Sequence, residues 1–256
     1  MGPPGFFITM NLYGENGGEK EMLSLIAGFC MLLDHIGVGL YPENIYLRMI
    51  GRMAMPLYAY GVAAGYNHTK ADTGRFQKYR DRMLVLALVS QIPYRLLIHD
   101  GTLNICVVWY LSLLCLSLLE QIRDRRDMKI VVQLLCLTSL ILFVPMDYGW
   151  FAVLYVVTFD QFIRAGDEMK AGLQLTAINL LNIFYVGVKY PAGVWWSVVE
   201  MISILALPLI SAARKHPRAV NREHQSKTRL KQWKLVKYSF YPAHLLLIYS
   251  IRLLMH

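Results

Sequence analysis

Two adjacent ionisable residues, Asp34 and His35, interrupt the apolar stretch GFCMLLDHIGVGL at 28–40. A second apolar run at 49–66, MIGRMAMPLYAYGVAAGY, carries Arg52 and Pro56. An ionisable side chain at mid-depth in lipid costs about 2.5 kcal/mol or more. An acid, a base and a cation in the first two apolar helices are therefore expected to meet one another or a ligand. Neighbouring residues on a helix point about 100° apart, so Asp34 and His35 need partners on other helices. Asp34 paired with Arg52 leaves a neutral His35 as general base or acyl acceptor. Two plainer readings compete: a His35 bonded only to a backbone carbonyl, and an Asp34–Arg52 bridge that only fixes helix packing.

Further polar residues fall in or beside later apolar runs. SQIPY at 90–94 holds Gln91 and Tyr94, and Asn104 opens the next run. Each serves equally as a cross-helix hydrogen bond, worth about 0.6 kcal/mol on average in bilayers. The stretch KYSFYPAHLLLIY at 237–249 contributes Lys237, Tyr238, Tyr241 and His244. His244 is expected to line the same cavity from the inner side, while the two tyrosines also fit an interfacial belt. Asp147-Tyr148-Gly149 and Glu200 fall near the outer edge, where a charge costs little, and neither acid is assigned catalysis. The basic stretch following Tyr66-Asn67-His68-Thr69 reads either as an anion-holding surface or as ordinary solvated positive charge. No Gly-rich phosphate loop, zinc-ligand spacing or haem motif is present, and no metal is expected. Cys30, Cys106, Cys115 and Cys136 all lie in apolar runs and read as small buried hydrophobes, not disulfides or zinc ligands.

These residues must be positioned by membrane helices. The chain has 256 residues, is 56% hydrophobic and 17% charged, with a mean hydropathy of +0.39. That is too apolar for a soluble domain. Its net charge of +9 resides in loops between apolar runs, which excludes nucleic acid as the expected partner and leaves the bilayer. The fold class is all-α, a polytopic membrane protein with nine spans: about 22–40, 45–66, 81–98, 103–119, 130–145, 148–165, 171–188, 194–213 and 236–254. Residues 1–20 are polar, with no cleavable signal or lipidation motif. A single domain is expected from 21 to 256, with a basic cytoplasmic loop at 214–236. Lys and Arg crowd alternate loops, which puts the N-terminus inside and the C-terminus outside. At 1.5 Å per residue, Asp34 lies roughly 18 Å from the cytoplasmic end of its helix. Arg52 lies roughly 10 Å from the outer end of the next. The two should meet slightly beyond mid-membrane. Gly51 and Pro56 are expected to loosen the helix beside Arg52.

The combination MLLDHIG, IGRMAMPLYAYGVAAGYNHT, YRDRMLVLALVSQIPY, DYG and KYSFYPAHL, in that order, resembles the TraX family. These are integral membrane proteins tied to N-acetylation of conjugative pilin and related to the wider membrane acyltransferases. The resemblance implies acyl transfer from acetyl-coenzyme A, approached from the cytoplasm, to an amine or hydroxyl acceptor such as a peptide or pilin N-terminus. It implies a catalytic role for His35, with Asp34 and Arg52 beside it. Donor contacts then fall to Arg52, His68, Arg75, Arg82, Lys237, Tyr241 and His244. Acceptor contacts fall to Gln91, Tyr94, Asn104, Asp147 and Tyr148. It also implies a multi-pass protein of the cell membrane. From a different class, a transporter or channel would use Asp34, His35 and Arg52 to bind a proton or small anion. No paired helix interruptions or internal repeats are visible in support of it. A non-catalytic assembly subunit is a third reading.

Overall fold

A computed structural model describes residues 17–98, 101–125, 127–189, 194–215 and 227–255. Among them the chain is all-helical. Eleven α-helices follow in order: α1 Gly17–Gly39, α2 Ile45–Gly51, α3 Ala54–Thr69, α4 Thr73–Ile98, α5 Ile105–Asp124, α6 Met128–Phe143, α7 Gly149–Ala165, α8 Glu168–Lys189, α9 Val194–Val199, α10 Ala206–Lys215 and α11 Lys227–Met255. A 3-10 segment, Glu200–Leu205, joins α9 to α10. Four described stretches are long and apolar enough to cross a membrane: Met22–Gly39, Ile105–Asp124, Glu168–Lys189 and Ser197–Lys215. The outer faces of α4 and α8 expose large apolar side chains such as Val85, Leu88, Ile92, Leu173 and Phe184. Water does not favour such continuous apolar faces; lipid does. Three of the four cysteines are buried and Cys136 is exposed, so the reading of all four as buried holds for three.

Two of the expected spans are interrupted. The run at 45–66 breaks between Gly51 and Ala54, where Pro56 cannot donate to the carbonyl of Arg52 four residues back. The run at 194–213 changes to 3-10 geometry from Glu200, and Pro208 likewise cannot donate to Ile204. The local loosening expected beside Arg52 is thus an interruption over Arg52 and Met53, whose backbones stay in the right-handed helical region. It has a counterpart at Glu200. The basic segment also departs from expectation. From Lys227 onward it is helix, continuous with α11, while residues 216–226 lie outside the described part.

Helix α3 is the hub. Small residues Ala59, Gly61, Ala63 and Gly65 are buried along it, which lets neighbouring backbones approach closely. It packs against α1, α4, α5 and α7, and α11 packs on α1 and α4. At the end of α3 farthest from Arg52 an ionic knot joins three helices. Glu120 accepts from Lys70 at 3.1 Å and from Arg164 at 2.6 Å, and Arg164 also bridges Asp160 at 2.9 Å. Asn67 donates to Asp160 at 2.7 Å. A second knot is fully buried: the Tyr155 hydroxyl meets Ser203 Oγ at 2.7 Å and accepts from Asn179 at 2.7 Å. It ties the 3-10 segment to α7 and α8, and so fixes where Glu200 stands.

Candidate functional site

At the first interruption the Arg52 amide still bonds the Arg48 carbonyl at 3.1 Å, and its side chain is buried, with 7% of its surface exposed. Every nitrogen of its guanidinium is engaged. Nη2 donates to Asp34 Oδ1 at 2.9 Å, Nη1 donates to Glu200 Oε1 at 2.5 Å and to the Tyr148 hydroxyl at 2.7 Å, and Nε donates to the Arg48 carbonyl at 3.4 Å. Arg48 in turn stands 3.2 Å from Asp34. Two cations and two carboxylates therefore balance, as burial of charge requires. The approach of α2 to α1 depends on Gly51. A Cβ there would collide with the Asp34 side chain and lie 2.8 Å from its Cα.

Tyr148 reaches Arg52 from a backbone at φ 57°, a left-handed conformation uncommon for a residue with a Cβ and frequent at functional sites. Gly149 follows at φ 47° and allows the sharp entry into α7. The turn is held by an isolated parallel bridge, Leu103 to Met146. The Asp147 amide donates to the Leu103 carbonyl at 2.8 Å.

His35, 7% exposed, does not bond Asp34. Its Nδ1 lies 2.7 Å from Nε2 of His244, whose own Nδ1 lies 2.6 Å from the carbonyl of Phe240. A carbonyl only accepts, so His244 Nδ1 carries a proton. With both imidazoles neutral, His244 Nε2 then accepts from His35 Nδ1–H. That relay leaves Nε2 of His35 as a lone-pair acceptor. Asp34 belongs to the two arginines, as the reading that pairs it with Arg52 expects, and His244, not Asp34, orients the imidazole.

A cavity of about 430 Å³ brings these groups together, within the range of small-molecule sites, roughly 300–1,000 Å³. Asp34, Arg48, Arg52, Asp147, Tyr148 and Glu200 form its polar part. Met31, Met55, Met83, Leu86, Trp109 and Phe240 form its apolar part. Tyr94 and Tyr241 also line it. Tyr241 is 6% exposed, so it is a buried wall residue and not an interfacial aromatic. His244 is bonded to His35 and is only 4% exposed; it supports the wall.

Several other expected site residues are elsewhere. Gln91 and Asn104 do not line the cavity. The Gln91 amide bonds the Thr102 carbonyl and the Asn104 side chain and backbone. Asn104 caps α5 through the Cys106 amide and donates to the Ala87 carbonyl. Both are consumed in closing the α4–α5 turn. His68 is exposed, and Arg75 is exposed and paired with Asp72 at 3.3 Å. Arg82 is half-buried on α4, one residue before Met83 of the cavity wall. The Lys237 side chain lies outside the described residues. Among the described residues no group of histidines, cysteines and carboxylates has the arrangement of a metal site. Glu200 is the residue that the sequence reading missed.

The TraX protein family profile matches residues 19–252, nearly all of the described chain. The chain is also 34% identical over 94 residues to "Uncharacterized protein RP591" of Rickettsia prowazekii (strain Madrid E). That alignment covers 36% of this chain and 34% of the relative. No solved structure matches.

Proposed function

The chain belongs to the TraX family, and from that premise we propose that it is an integral membrane acyltransferase. It moves an acetyl group from acetyl-coenzyme A to an amine or hydroxyl acceptor, with a peptide or pilin N-terminus among the acceptors that fit. The observation that carries this reading is the ordered Phe240 carbonyl–His244–His35 relay, which presents a neutral imidazole acceptor beside a cavity. A general base needs that combination of a lone pair, a fixed tautomer and space for the reacting groups.

The cavity suits the reactive ends of donor and acceptor, whereas a whole coenzyme is far larger. Its phosphates would lie outside, and α4 offers the path. Met83 and Leu86 reach the cavity, and Arg75, Lys78 and Arg82 precede them on the same helix. In this reading α2 with α3 forms one pass and α9 with α10 another, so the eleven described helices group into nine passes in the cell membrane. The alternation of basic loops then supports a cytoplasmic N-terminus and an external C-terminus. Purified protein should bind acetyl-coenzyme A and pass a labelled acetyl group to an added amine. Absence of both would remove the reading.

One observation favours a transporter or channel as the second reading. Two interrupted helices meet at the Arg52–Glu200 pair, as interrupted helices do around substrate sites in transporters. Proteoliposomes that move protons or anions without any acyl-coenzyme A turnover would favour it.

A further inference from the structure

Tyr241 precedes His244 by three residues on α11, so the two side chains share one face of the helix. Its ring centroid stands 6.1 Å from that of His35 and 5.7 Å from that of His244. The phenol oxygen is enclosed, and it has no hydrogen-bond partner among the described residues. Tyr241 and His35 line the same cavity, together with Cys106, Asp147, Tyr94 and Tyr58. Buried hydroxyls are nearly always paired, and an unpaired one is costly. Here a bound molecule would supply the acceptor.

Two other strong donors nearby are engaged. Arg52 is consumed by Asp34, Glu200, Tyr148 and a backbone carbonyl. The Tyr94 hydroxyl is bonded to Thr102. We propose that Tyr241 is a further catalytic residue, whose hydroxyl donates a hydrogen bond to the carbonyl oxygen of an acyl thioester held beside His35. The assignment rests on the acyl-transfer reading above. In the first half of the step, His35 Nε2 takes the proton of the acceptor N–H or O–H as that heteroatom bonds the carbonyl carbon. The carbonyl π pair moves onto oxygen, where Tyr241 holds it without giving up its own proton. In the second half the pair returns, the C–S bond breaks, and His35 gives its proton to the departing thiolate. A donor placed where charge develops acts on the chemical step more than on binding.

The test uses detergent-purified full-length protein, acetyl-coenzyme A as donor and hydroxylamine as the probe acceptor. Hydroxylamine is unprotonated at neutral pH and depends little on a base. Thiol release and acetohydroxamate are both measured. Tyr241→Phe is expected to lower kcat by roughly 10²–10³ while leaving KM within about twofold. His35→Ala should suffer most with ordinary amines and less with hydroxylamine. A Tyr241→Phe protein with undiminished kcat, or one changed only in KM, overturns the assignment and leaves acyl transfer standing. A wild-type protein that releases no thiol removes the acyl-transfer reading and this proposal with it. Should Tyr241→Phe not fold, fluorotyrosine at position 241 keeps the shape and makes the phenol a stronger donor. Its kcat should rise, and an unchanged kcat would count against the proposal.

Discussion

Replacing Arg52 with Met keeps most of the side-chain volume and removes one of the two cations in the buried cluster. Two carboxylates then share a single guanidinium. Asp34 retains Arg48 at 3.2 Å, whereas the ion pair of Glu200 is the one it makes with Arg52. Asp34 and Glu200 are both only 14% exposed, so the stranded charge is principally that of Glu200. Removing one partner of a buried pair costs about 3–5 kcal/mol, and Arg52→Met should destabilise by that amount. Glu200→Gln added to it should recover most of the loss, because the remaining Arg48–Asp34 pair is balanced. Asp34→Asn added to it should recover less, since it leaves Arg48 without its neighbour and Glu200 still without Arg52. In double-mutant cycles the Arg52–Glu200 coupling should then reach about 2 kcal/mol or more, and the Arg52–Asp34 coupling should stay below about 1 kcal/mol. Unfolding in mixed micelles, followed by tryptophan fluorescence, measures both. A larger recovery from Asp34→Asn than from Glu200→Gln would refute the assignment of partners.

Gly51→Ala should destabilise by about 1–3 kcal/mol, the usual cost of overpacking, because its Cβ would collide with Asp34; an unchanged unfolding midpoint would contradict the close approach of α1 and α2. In a cysteine-free background, a single cysteine at 226 should resist labelling from outside whole cells, and one at 192 should react. The reverse pattern would invert the proposed orientation. Neutralising Lys227, Arg229 and Lys231 should leave acetyl-coenzyme A affinity unchanged, as measured by equilibrium binding. A several-fold loss together with a weaker salt dependence would show instead that they hold phosphates.

The helices that house the site were legible as apolar runs, and the pairing of Asp34 with Arg52 followed from depth along two antiparallel helices. The same arithmetic applied to Glu200 would have found the third member. It lies six residues past the start of its run at 194, about 9 Å along the helix, level with Arg52. Placing it near the outer edge treated that depth as cheap for one residue and costly for the other. The signal was the same in both cases, a charge followed within eight residues by a proline inside an apolar stretch. The His35–His244 contact was less accessible, because 209 residues separate the two and neither period nor spacing relates them. Gln91 and Asn104 misled for a physical reason. An amide that closes a buried turn and one that binds a ligand are the same residue type in the same apolar setting, and only the partners distinguish them. The left-handed backbone at Tyr148 left no trace beyond the following glycine.

The most direct measurement of the central claim is transfer of labelled acetyl groups by purified His35→Ala, compared with the wild type on the same amine. Loss of a general base costs roughly 10²–10⁴ in rate. His35 contributes nothing to the Asp34–Arg52–Glu200 balance, so the variant should remain monodisperse and still bind acetyl-coenzyme A. Transfer reduced to that degree in a folded, coenzyme-binding protein is the predicted result. Undiminished transfer by His35→Ala would contradict the account.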